Sequence, residues 1–125
     1  MAGVTVKRLD EFDNNGGFFR ARAGLGVTSF GLAVEHWPPN DDRYPEHDES
    51  STGQEEVYVV LEGSGALRAA GEEHRLEPGV FARVAPGVTR KLLPGADGLE
   101  VLCIGGVPGG VFQPRGWTEE GAPWG

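Results

Sequence analysis

The sequence predicts an all-β fold, an antiparallel sandwich or barrel, on three observations. Helical periodicity is nearly absent along its 125 residues. In its place stand short apolar runs rich in Val, Phe, Tyr and Leu, each closed by Gly or Pro. These runs recur about every ten residues, the rhythm of strands joined by turns. Glycine (21) and proline (9) are abundant but fall singly between the runs, where turns use them.

Residues 1–24 hold "VTVKRL" and "GFFRARA", which read as N-terminal strands and offer themselves to a dimer interface. "VTSFGLAVEHW" follows and stops at Pro38. Residues 38–54 form a polar loop rich in Pro and Asp. In "EEVYVVLEG" the alternation is clean: Val57, Val59 and Leu61 share one face, Glu56, Tyr58 and Val60 the other. "GALRAAG", "GVFARVAPG", "TRKLLPG" and "LEVLCIGG" complete the set of strands. Residues 108–125 are a tail with little pattern, carrying Phe112, Trp117 and Trp124. Exposed aromatics are unfavourable in water, so the tail is expected to pack on the barrel or on a partner, with a ligand lid as the third option.

A chain of this length, 38% apolar, supports one domain and one core. Its net charge of −8, with no basic stripe, would repel a phosphate backbone, so nucleic acid is excluded as a partner. No apolar run approaches the roughly 18 residues of a membrane span, and the N-terminus lacks a signal core. A soluble, cytoplasmic protein without a membrane partner is expected. The single cysteine, Cys103, lies in an apolar run and reads as a small buried hydrophobe rather than a reactive thiol. There is no Gly-x-Ser-x-Gly, no phosphate loop, and no Cys–His pair with a supporting acid. The acid-rich "NDDRYPEHDE" lacks the spaced ligands and central glycine of a calcium loop.

"EEVYVVLEGSG", followed by "GEEHRLEPGVFARVAPGVTR", resembles the two motifs of the cupin superfamily. The resemblance implies a small single-domain cupin of the conserved-barrel type. Its fold would be an antiparallel jelly-roll, or double-stranded β-helix, barrel over residues 25–107. Glu56 and Gly63 keep the closing interval of the first motif, and Gly79 and Gly87 that of the second. The departures fall on the metal ligands. Glu49 stands where the pattern has a second histidine, and Arg90 stands at the second-motif histidine. Ala85 and Pro94 replace that motif's first proline and final asparagine, and the loop between Glu49 and Glu56 is long.

Residues two apart on a strand point the same way, so His47 and Glu49 are expected to converge, with Glu56 facing them from the next strand. One imidazole and two carboxylates invert the 2-His-1-carboxylate set of Fe(II) oxygenases and weaken affinity. A guanidinium cannot give up its charge or ligate a cation, but it can fork onto a carboxylate. An ion pair of Arg90 with Glu56 or Glu49 is therefore expected in place of a metal.

The expected ligand pocket is His47, Glu49, Glu56, Tyr58 and Arg90. It would bind a small molecule, an anion among the options, without a tightly held redox metal. The alternative is a metal-dependent oxygenase or isomerase whose ligands are His47, Glu49 and Glu56, holding Mn, Zn, Fe or Ni. A purely structural or regulatory module is a third reading. His36 reads as a rim or core residue and His74 as solvent-facing, while Arg83 fits an inward or an exposed place. The resemblance also implies a homodimer, paired through sheet edges and the aromatic tail.

Overall fold

The structure is a computed structural model that describes residues 3–123. Trp124 of the tail lies outside the described residues. Among the described residues seven strands form one antiparallel sheet: β1 (Asn14–Asn15), β2 (Phe18–Phe19), β3 (Gly31–Trp37), β4 (Glu55–Ala69), β5 (Glu72–Leu76), β6 (Phe81–Val84) and β7 (Arg90–Gly106). Their order is β1-β2-β3-β7-β4-β5, with β6 paired to the outer side of β4. The long β4 and β7 run side by side and carry the jelly-roll. The first half of β4 pairs with β6, its second half with β5, and both halves pair with β7.

Two runs that read as separate strands are thus joined in β4, and two more in β7. "Gly-Ser-Gly" at 63–65 and "Pro-Gly" at 94–95 are bends within long strands rather than turns. The register slips between Val60 and Glu62, leaving Leu61 as the extra residue of a β-bulge. The slip reverses which parity faces inward. Tyr58 and Val60 are buried before it, Leu67 and Ala69 after it. Ala69 pairs with Arg90 and Leu67 with Leu92, so Arg90 begins β7 on the inward side. The core gathers Trp37, Tyr58, Val60, Leu67, Leu76, Leu92, Leu99 and Val101 from the curved inner face, with Tyr44 added by the loop of residues 38–54.

Both motif glycines with positive φ have a reason. Gly63 has φ +85°, and a Cβ there would meet the Gly98 carbonyl oxygen at 2.1 Å, so the two long strands approach as only glycine permits. Gly79 has φ +92° in the third place of a turn whose second residue is Pro78, closed by Val80 N–H donating to the Glu77 carbonyl at 3.0 Å.

The N-terminal region differs from the expected strands. "VTVKRL" carries no strand: residues 4–8 have no regular structure, and Val4 and Val6 are exposed. A 3-10 turn (Leu9–Glu11) follows it. In "GFFRARA" only Phe18–Phe19 is extended. The chain then turns into a short helix, α1 (Ala21–Leu25), whose Ala and Arg residues favour helix and which Gly26 ends at φ +77°. The tail packs back on its own sheet. Phe112 is buried against Gly31, and Trp117 packs on Phe18 with ring centroids 4.9 Å apart and planes tilted by 60°.

Candidate functional site

A cavity of about 390 Å³ opens at one end of the sheet. Its floor comes from the inward residues of three neighbouring strands: Ala33, Glu35 and Trp37 of β3, Cys103 of β7 and Glu56 of β4. The loop of residues 38–54 supplies one wall with Tyr44, His47 and Glu49, and the tail supplies another with Phe112, Arg115 and Trp117.

The loop is held by main-chain bonds rather than by continuing a strand. His47 exchanges both of its backbone bonds with Arg90 as an isolated bridge, at 3.1 and 2.8 Å, and Glu49 N–H donates to the Pro86 carbonyl at 2.8 Å. Expected convergence of His47 and Glu49 along a strand is therefore replaced by a bridge followed by a turn. Their side chains still meet. His47 Nδ1 lies 2.8 Å from the Pro45 carbonyl, which can only accept, so Nδ1 carries a proton and Nε2 faces Glu49 Oε2 at 2.9 Å. The Glu49 hydrogen bond raises the His47 pKa above its ordinary value, against the effect of burial. Burial pushes Glu49 up, but hydrogen bonds from His47 and Thr52 outweigh it and hold the carboxyl below the usual range.

Glu56 completes a cluster in which one atom each of His47, Glu49 and Glu56 lie within 4.8 Å of one another. Arg90, wholly buried, sits against it. One terminal nitrogen donates to Glu56 Oε1 at 3.0 Å and stands 3.9 Å from Glu49 Oε2; the other donates to the Ala85 carbonyl at 3.0 Å. The guanidinium is split between a carboxylate and the main chain, not forked onto one carboxylate, and its Nε has no partner. Burial and the Glu49 charge raise the Glu56 carboxyl above its usual range, and they prevail over the opposing pull of Arg90. Glu56 is thus an ion-pair partner that is nonetheless easier to protonate than a surface glutamate.

Of the five expected pocket residues, His47, Glu49 and Glu56 line the cavity. Tyr58 and Arg90 do not. Tyr58 is fully buried beneath it, its hydroxyl donating to Glu56 Oε1 at 3.1 Å and lying 2.8 Å from the Tyr44 hydroxyl. Arg90 stands behind Glu56. His36 and His74 face solvent, near Glu100 and Glu72, and Arg83 is exposed with Glu55. Cys103 is half-buried at the cavity wall, 3.7 Å from Glu56 Oε2. Burial and the neighbouring carboxylates push its thiol well up, away from a reactive thiolate.

Sequence reasoning missed Glu35, Trp37 and Tyr44. Glu35 is 5% exposed and its carboxyl accepts from Trp37 Nε1 at 3.3 Å. Burial, then the Glu56 charge, raises its pKa to about 7. Alternation puts Glu35 on the same face of its strand as Ala33 and Trp37, and the pairing of β3 with β7 turns that face inward. A metal at the His47–Glu49–Glu56 cluster finds donors of suitable type, but the buried guanidinium beside two of the three opposes a cation there. The donor set as it stands does not fit a metal well.

No family model matches the sequence. A stretch of 89 residues is 32% identical to part of the LPS-assembly protein LptD of Nitrosomonas eutropha; it spans 71% of this chain but only 12% of that protein's length. Solved structures share the fold more fully. A cupin protein from Bacteroides fragilis superposes with a TM-score of 0.63 over 88% of this chain and 93% of its own, at 22% identity. A predicted oxalate decarboxylase from Thermotoga maritima gives 0.65 over 83% of this chain and 100% of its own, at 18% identity. A sugar phosphate isomerase of the cupin superfamily from Silicibacter pomeroyi gives 0.63 over 73% and 59%, at 21% identity. At such identities the likeness speaks for the fold alone, and activities of these proteins stay with them. The rolled antiparallel sheet and these superpositions agree: the chain has the fold of the cupin barrels.

Proposed function

We propose that this cupin binds a small molecule in its cavity and does not hold a redox metal tightly. The observation that supports this reading most directly is Arg90. It occupies the second-motif ligand position, is wholly buried, and is engaged with Glu56 at 3.0 Å. Above it lies a cavity of about 390 Å³ with aromatic walls and a few convergent polar groups, the usual make-up of a ligand site. Arg90 offers no fork to an anionic ligand, since its guanidinium does not line the cavity and its two terminal nitrogens are bonded to Glu56 and the Ala85 carbonyl.

A second reading, a metal-dependent cupin enzyme, is favoured by the 4.8 Å grouping of His47, Glu49 and Glu56. Elemental analysis of untagged protein separates the two: a stoichiometric transition metal would establish the second reading. The complementary experiment is Arg90→His, which removes the opposing charge and restores an imidazole. Calorimetric titration with Mn or Zn is expected to show affinity rising at least about tenfold in the variant. Equal, tight binding by the unmodified protein would sink the first reading.

A further inference from the structure

Charge pairing around the cavity is uneven. Each basic group lining it already faces a carboxylate. Arg20 is 2.7 Å from Asp13, Arg22 is 2.6 Å from Glu119, His47 is 2.9 Å from Glu49, and Arg115 is 3.6 Å from Glu49. On the acidic side Glu49 and Glu56 are matched by His47 and Arg90. Asp48 sits at the exposed rim and accepts from the Ser50 N–H. Glu35 is different. It is buried in the cavity wall, no cation pairs with it among the described residues, and the Trp37 indole bonds one of its oxygens while the other has no protein partner there. A buried carboxyl group so placed is kept neutral by a proton or awaits a positive charge from outside.

Its surroundings suit a cation with an apolar body. Trp37 and Tyr44 meet edge to face at 5.5 Å, Phe18 and Trp117 pack at a tilt at 4.9 Å, and all four line the cavity. Electron-rich ring faces attract ammonium groups, and a carboxylate beside them gives a charge-assisted hydrogen bond. We propose that the cavity takes a small organic amine, with the ligand's ammonium paired to the Glu35 carboxylate and its apolar part against the aromatic walls. This deepens the reading that the cavity binds a small molecule and rests on it.

The groups that face Glu35 are Trp37 on its own strand, Glu56 and Tyr58 of β4, Cys103 of β7, and Tyr44 and His47 of the loop, with Phe18 opposite it on β2. Among these, His47 alone can carry positive charge, and it is bonded to Glu49. Glu35 therefore binds a cation as carboxylate and a proton otherwise. Affinity for an amine rises with pH up to about 7, close to tenfold per unit, and is level above.

The test uses three probes of similar shape: 2-phenylethylamine, 2-phenylethanol and phenylacetate, titrated calorimetrically into the full chain and into Glu35→Gln. The amine is expected to bind about tenfold or more tightly than the alcohol. That preference should vanish in Glu35→Gln, with the alcohol's affinity unchanged. In the unmodified protein it should weaken as pH falls from 7 to 5.5, a readout independent of whether the variant folds. Three results would each overturn the inference: phenylacetate binding tightest, an amine preference that survives Glu35→Gln, or an amine affinity flat across that pH range. Binding of the alcohol alongside any of these leaves the small-molecule reading standing. Failure of all three probes to bind counts against both.

Discussion

Arg90 shows how one substitution rewrites a site. A neutral imidazole at the start of β7 would leave the facing carboxylates free for a cation. The guanidinium instead joins Glu56 and Ala85 and lies fully out of water. Such a pair is no proof of stability, since desolvation offsets much of the attraction, but removing one member leaves the other charge buried and alone. Arg90→Ala is expected to lower stability by on the order of 3 kcal/mol, measured by urea unfolding at pH 7. An unchanged midpoint would mean that Glu56 is already protonated.

The second residue-scale prediction follows from the raised carboxyls. Glu35 keeps its proton to about 7 in the folded chain, whereas an unfolded glutamate releases it near 4.5. Between those values the folded state binds more protons, so stability falls as pH rises through the window and levels off above it. Glu56 and His47, both raised, act in the same direction; Glu49, lowered, costs stability only as pH falls below the usual carboxylate range. A stability optimum in mildly acid solution is expected, and Glu35→Gln should be more stable than the unmodified chain at pH 8, by up to about 3 kcal/mol. Thermal unfolding at pH 5.5 and pH 8 checks both. Glu35 itself escaped the sequence because which parity of "VTSFGLAVEHW" faces inward depends on the β3–β7 register, and that is a tertiary fact.

At the scale of elements, much was legible where chemistry is local. The positive φ of Gly63 and Gly79, the polar loop of residues 38–54 and most apolar runs were foreseeable from turn residues and alternation. What could not be read was continuity. Whether a Gly-Ser-Gly ends a strand or bends it depends on the partner strand continuing past it, and β7 does. Likewise, "ARAGL" extends from a strand pattern but has no neighbour to pair with, so local helix bonds win. The two motif glycines permit a comparison. Gly63→Ala must accept both a positive φ and a backbone oxygen at 2.1 Å, whereas Gly79→Ala meets nothing within 4 Å and bears only the conformational penalty. The latter should cost about 1–2 kcal/mol. The former should cost clearly more, because β4 and β7 must part. Equal melting temperatures for the two variants would contradict this account of Gly63.

At the scale of the molecule, the outer face of the sheet raises the matter of assembly. Phe19, Val34, Leu102, Val59 and Phe81 fall in one register row across β2, β3, β7, β4 and β6. Phe81 is 71% exposed and Leu61 stands beside this row, also exposed. A contiguous apolar stripe of that kind is uncommon on a lone chain. We propose that it pairs with a second copy; the tail, already packed on its own sheet, is not needed for the contact. Sedimentation at micromolar concentration should give twice 13.3 kDa, and Phe81→Asp should halve it. A single 13.3 kDa species from the unmodified chain would exclude the pairing.

The tail wall has a further consequence, for the order in which the protein acquires its parts. Arg20 reaches the Ala122 carbonyl across 102 positions, Arg22 reaches Glu119 across 97, and Gly121 reaches Asp13 across 108. These are contacts between opposite ends of the described chain, and such distant closures come late, after the entropy of nearer ones has been offset. The β4–β7 ribbon and its core can consolidate while the outer wall is still open. Occupancy of the cavity therefore reports something that circular dichroism of the sheet would not: that the last residues have come home.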